Sequence, residues 1–110
     1  MAVPVTTKLR AISRDLGGQA RLARALGVSP SRVSRWLHAE RPDPENRRKV
    51  DALEFVLARL LSIYHRETAL KWLDANNPHL GDHRPIDRLS EGRVDDVLAA
   101  LSIEESGSYA

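Results

Sequence analysis

Three observations predict an all-α fold. Apolar residues recur at three- and four-residue spacing along most of the chain, no alternating β-branched run appears, and glycine and proline punctuate the periodic segments. The expected architecture is a small helical bundle with an N-terminal helix-turn-helix and a compact helical C-terminal region packed on a long central helix. A chain of 110 residues is enough for one domain or two very small ones. No internal repeat or low-complexity segment is visible.

A first helix is expected from about Thr6 to Leu16, broken by Gly17 and Gly18. A second, Gln19 to Leu26, has an inner face of Leu22, Ala23 and Leu26 and an outer face carrying Arg21 and Arg24. The segment Ala25 to Leu37 then reads as a turn and a third helix. Gly27 supplies the freedom for a sharp turn, Ser29 is placed to cap the next helix, and Pro30 suits its first position. Val33, Trp36 and Leu37 follow i, i+3, i+4 spacing as an apolar face. Ser31, Ser34, Arg35 and His38 fall on the opposite arc, with Arg32 at its border.

Serine and arginine near the start of a helix are the side chains that reach base edges and phosphates, so this arrangement points to double-stranded DNA. Ser31, Ser34, Arg32 and Arg35 are expected on the reading helix. Arg21, Arg24 and the run Arg47-Arg48-Lys49 are expected nearer phosphates. A dimer would place two reading helices about 34 Å apart on a palindromic operator.

A proline-bearing loop, Arg41-Pro42-Asp43-Pro44, separates this unit from the central helix, which the basic run opens and which extends to about Tyr64. Val50, Leu53, Leu57, Leu60 and Tyr64 form its stripe, and Phe55, Val56 and Leu61 widen it. Such a helix needs two neighbours, either the two halves of this chain or a second copy of it. Beyond it, Leu70, Trp72 and Leu73 belong to a short helix that Asn76-Asn77-Pro78 should end. Leu80, Ile86 and Leu89 mark a loop and one turn begun by Pro85. Val94, Val97, Leu98 and Leu101 form a last helix with Asp95 and Asp96 near its positive end. These pieces are too small to fold alone and are expected to pack on the central helix.

Charge divides the chain. Residues 1–49 hold 11 Lys/Arg and 4 Asp/Glu, a net +7; residues 50–110 hold 6 and 11, a net −5. The expected division is therefore a DNA-binding region over 1–49 and a region for a different partner over 50–110. Catalysis is not expected: there is no cysteine, no glycine-rich phosphate loop and no Gly-x-Ser-x-Gly turn. His79 and His83 lack an assured third ligand, so neither metal nor cofactor is expected. No apolar run approaches the roughly 20 residues of a membrane span and the N-terminus lacks a signal-type stretch, so no membrane partner and a cytoplasmic location are expected.

The helix-turn-helix resembles the Xre-type, phage-repressor-like family of bacterial DNA-binding domains. It departs from that pattern after the reading helix, where Ala39 and Glu40 replace the common glycine, so the stop is expected to move to Pro42. The last 45 or so residues resemble the C-terminal domain of the MbcA/ParS/Xre antitoxins, partners of RES-domain toxins in type II toxin–antitoxin systems. The matching positions are Trp72 and Leu73, Asn77-Pro78, Leu80 and Gly81, Pro85 with Leu89 and Gly92, Val97 and Leu101, then Gly107, Tyr109 and Ala110.

That resemblance implies an antitoxin that represses its own operon and covers the active site of an NAD-consuming RES toxin. The partners implied are a RES-domain toxin and operator DNA, with a homodimer inside a toxin–antitoxin hetero-oligomer. Trp72, Asn77, Glu104, Glu105, Gly107, Tyr109 and Ala110 are the expected toxin contacts. Glu104, Glu105 and the terminal carboxylate suit arginines of a dinucleotide-phosphate pocket, Tyr109 is an aromatic anchor, and Ser106-Gly107-Ser108 is expected as a flexible lead-in. The alternatives are a stand-alone repressor whose C-terminal half dimerises or binds an effector, and an adaptor that has lost DNA binding.

Overall fold

The chain builds its helices from local signals and then joins them through a single core. The computed structural model describes residues 3–107. Among these, the α-helices are α1 (Val5–Leu16), α2 (Gln19–Leu26), α3 (Pro30–His38), α4 (Pro44–Ile63), α5 (Arg66–Asp74), α6 (Pro85–Ser90) and α7 (Val94–Gly107), with a 3-10 turn at Pro78–Leu80. The fold is all-α; one isolated bridge, Asn77 with His83, is its β-type pairing among the described residues. No described helix is long and apolar enough to cross a membrane.

The α2–α3 turn follows from its residues. Gly27 takes a left-handed φ of 70°, which lets the Val28 amide close on the Ala23 carbonyl at 3.0 Å and the Gly27 amide on Arg24 at 3.2 Å. Ser29 then accepts from the Arg32 amide at 3.2 Å, and Pro30 occupies the first helical position. Leu22, Leu26, Val33 and Trp36 are all buried and pack the two helices against α1, whose Leu9, Ile12 and Leu16 complete that part of the core.

Helix α3 ends earlier than its sequence suggested. Ala39 terminates it, and the Ala39 and Glu40 amides both close on the Arg35 carbonyl at 2.9 and 3.0 Å, so no glycine is needed and Pro42 falls in the following loop. The central helix starts earlier than expected, at Pro44. Its preceding residue, Asp43, is held by the Asn46 amide group and by Arg32.

Helix α4 buries Val50, Leu53, Val56, Leu57 and Leu60. Phe55 and Leu61, expected to widen that stripe, instead lie 57% and 37% exposed. The C-terminal pieces do pack on α4, as anticipated, but α6 packs chiefly against α2 of the helix-turn-helix. One core, from Leu9 through Leu101, therefore runs across the whole chain.

Candidate functional surfaces

Helix α3 turns Val33, Trp36 and Leu37 inward, and this orientation leaves its other face outside. Ser31, Arg32 and Arg35 are exposed on that face and Ser34 is half-buried. Their fine arrangement is local. Ser31 Oγ lies 3.1 Å from Ser29 Oγ, Arg35 pairs with Glu40 at 3.3 Å, and Arg32 pairs with Asp43 at 3.3 Å. The Arg32 guanidinium also stands 5.5 Å from the Trp36 ring centroid, a cation–π contact that orients it along the helix. Half-exposed pairs of this kind exchange readily for another anion, because solvent screening keeps each one weak.

Helix α2 differs. Arg21 grips Asp74 of α5 with both ends of its guanidinium, at 2.9 Å each, while its Nε donates to the Leu16 carbonyl at 2.8 Å. Arg24 pairs with Asp87 of α6 at 3.1 Å. Lys49 Nζ, half-buried, donates to the Leu26 carbonyl at 3.3 Å and the Ser90 carbonyl at 3.2 Å, so one ammonium serves the C-terminal ends of both α2 and α6. Beside it, a Cβ added at Gly27 would meet the Ser90 carbonyl oxygen at 2.7 Å. These three cations were expected near phosphates; the fold has them fastening the helix-turn-helix to the C-terminal region.

Of the remaining basic run, Arg47 lies 3.6 Å from Asp51, and Arg48 is exposed without an ion pair among the described residues. Basic residues flank α3, among them Arg10 and Arg14, which the sequence reading did not single out. Arg10, Arg14, Gln19 and His38 line a cleft of about 330 Å³, and His38, Arg41 and Arg47 line another of about 400 Å³. The i, i+4 spacing of Arg10 and Arg14 on α1 was the signal available for the first of these.

The C-terminal candidates are divided. Asn77 is buried, and its side chain accepts from the His79 amide while its own amide donates to the His83 carbonyl, so it shapes the turn from within. His83 is thus a member of the backbone bridge and His79 lies in the 3-10 turn, and no metal-ligating group of three assembles among the described residues. Trp72 is half-buried with its indole N–H unpaired among the described residues. Glu104 accepts from the Tyr64 hydroxyl at 3.3 Å, and Glu105 pairs with Arg59 at 2.5 Å, which binds the end of α7 to α4. Burial, and then the Glu104 carboxylate, push the Tyr64 hydroxyl's pKa upward, which keeps it a donor to Glu104.

Ser106 and Gly107, expected to be a flexible lead-in, extend α7 as helix instead. The apolar anchors upstream of them, Val97, Ala100 and Leu101, hold the helix against the core long enough for its last turn to form. Tyr109 and Ala110 lie outside the described residues.

Comparison with known proteins bears on both halves. A family model described as bacterial toxin YdaS matches residues 9–52, the stretch that contains the helix-turn-helix. No curated protein matches the chain. Among solved structures, the chain is similar to one in the crystal structure of the M.tuberculosis MbcT-MbcA toxin-antitoxin complex, with 22% identity and a TM-score of 0.78. The match covers 96% of this chain and 97% of that one, and at this identity it speaks to the fold. A second family model, the antitoxin Xre/MbcA/ParS C-terminal toxin-binding domain, covers residues 50–107, more than half of the chain. The chain therefore belongs to the Xre/MbcA/ParS antitoxins, with its toxin-binding domain built from α4 to α7.

Proposed function

We propose that this antitoxin neutralises a RES-domain toxin that consumes NAD, covering the toxin's active site with its C-terminal region, and that it represses its own operon by binding operator DNA. The family match over residues 50–107 carries the first half of this reading. The exposed Ser31, Arg32 and Arg35 face of α3, opposed to a buried Trp36 face, supports the second. In this reading Ser31, Ser34, Arg32 and Arg35 approach base edges. Arg47 and Arg48, with Arg10 and Arg14, approach phosphates. The binding unit is a homodimer on a two-fold operator, assembled with the toxin into a larger complex. The regulatory role is one of binding, and the division at about residue 50 separates the DNA-facing from the toxin-facing part.

Co-expression with the product of the neighbouring gene tests the toxin half: a stable co-purified complex and preserved cellular NAD are expected. Absence of both binding and protection would sink it. Deletion of residues 107–110 tests the covering tail. Lost protection with a retained complex is expected, and unchanged toxin affinity and protection would remove the tail from the mechanism. Operator binding that weakens steeply with salt tests the DNA half.

A further inference from the structure

Arg32 differs from the other arginine of the reading face in being held by two groups. Its guanidinium stands 5.5 Å from the ring centroid of Trp36, a side chain fixed in the core at 1% exposure. Its Nη2 also donates to Asp43 Oδ1 at 3.3 Å. That same oxygen accepts from the side-chain amide of Asn46, which is 7% exposed. Two buried side chains, Trp36 and Asn46, thus support one exposed guanidinium, the second of them through the carboxylate of Asp43. Arg35 lacks such support, because its partner Glu40 accepts from Arg35 alone among the described residues.

We infer that Asp43 is a positioning residue that reserves Arg32 for a base edge, guanine above all, and denies it to phosphates. The inference rests on the DNA-binding reading above and deepens it. A guanidinium near DNA is drawn to phosphate, whose charge outweighs the uncharged acceptors of a base. Here a phosphate that reached Arg32 would have to displace Asp43 or lie beside its charge. Asn46 opposes the displacement, since a carboxylate swinging away would leave a buried amide without its acceptor. Like-charge repulsion opposes the alternative. An uncharged acceptor pair such as guanine O6 and N7 meets neither obstacle. The bond to Asp43 uses Nη2 and leaves the rest of the donor fork for that pair. Trp36, by holding one face of the guanidinium, reduces the rotamer freedom to be lost on binding.

Binding of the full chain to a duplex from upstream of its own gene, and to a mixed-sequence duplex of the same length, tests this over a series of salt concentrations. Asp43→Asn keeps the oxygen that Asn46 needs and removes the charge. With the Asp43 side chain 44% exposed, the variant is expected to retain the wild-type helical spectrum. The ratio of the two affinities should fall about tenfold, the size of one well-made base contact. Binding to the mixed duplex should tighten and its salt slope steepen by about 0.9, as Arg32 gains a phosphate. In an Arg32→Ala background the same change should leave the ratio where Arg32→Ala put it. Proportionate weakening on both duplexes would make Asp43 a structural residue, and proportionate tightening a simple repellent of DNA; either overturns the inference. A lowered ratio that persists in Arg32→Ala does so too. A wild type that binds the two duplexes alike, or neither, would instead overturn the operator reading beneath it.

Discussion

Helices α2 and α3 form one motif and carry the same kind of cation, yet they use it in opposite ways. The arginines of α3 pair with acids close by in sequence, Arg32 with Asp43 and Arg35 with Glu40. Those of α2 reach 53 and 63 residues along the chain, to Asp74 and Asp87. A local pair leaves the helix face available, whereas a distant one holds two parts of the molecule together. The opposition of a basic first half and an acidic second half, which composition suggested as two separate binding surfaces, is thus partly satisfied inside the protomer.

The comparison breaks most directly at the joint. Gly27→Ala is expected to cost about 3 kcal/mol, from the left-handed backbone and a Cβ pressed on the Ser90 carbonyl. Urea unfolding measures it, and a loss of only a few tenths would mean that α6 yields easily. Next in size, Arg35→Ala should weaken operator binding by about 2 kcal/mol and barely affect random DNA. Arg21→Ala should leave the salt slope unchanged, because its guanidinium is held by both Asp74 oxygens and by the Leu16 carbonyl. A slope reduced by about 0.9 for Arg21→Ala would return that residue to the phosphates.

A smaller effect separates the two classes of ion pair. A double-mutant cycle on Arg21 and Asp74 should give about 0.5–1 kcal/mol of coupling, the two-pronged geometry offset by solvent access, while the single-contact pair of Arg35 and Glu40 gives close to none. The smallest concerns acid. The Asn46 amide, and more weakly Arg32, hold the Asp43 carboxyl below its ordinary pKa. The resulting stabilisation is present above the ordinary carboxylate range and is lost as pH falls through the lowered value. Asn46→Ala should therefore flatten the acid end of the stability–pH curve slightly, and an unchanged curve would show that the contact is idle.

What the sequence made legible is whatever is decided within a turn or two. Gly27, Ser29 and Pro30 announce the α2–α3 corner because their conformational and capping preferences act on adjacent residues. The alternation of Val33, Trp36 and Leu37 with Ser31 and Arg35 announces which face is outside. The partners of Arg21, Arg24 and Lys49 were not legible, since spacing along one helix says nothing about which distant carboxylate or carbonyl will arrive beside it. The same limit applies to Phe55: periodicity placed it on an apolar arc, but only the positions of the other helices decide which edge of that arc is covered. Asn77 looked like a contact residue and is a buried turn-former, a distinction that depends on where the His83 backbone returns.

Lys49 has an implication for how such proteins diversify. Its ammonium bridges backbone carbonyls at the ends of α2 and α6, so a hybrid whose two halves met at a different spacing would leave this cation without one of its acceptors. Recombination at the middle of the chain, which would otherwise pair a new N-terminal half with an old toxin-binding domain, would then yield hybrids that fit only where this spacing is kept. New specificities would then arise by substitution on the outer faces, with both halves inherited together.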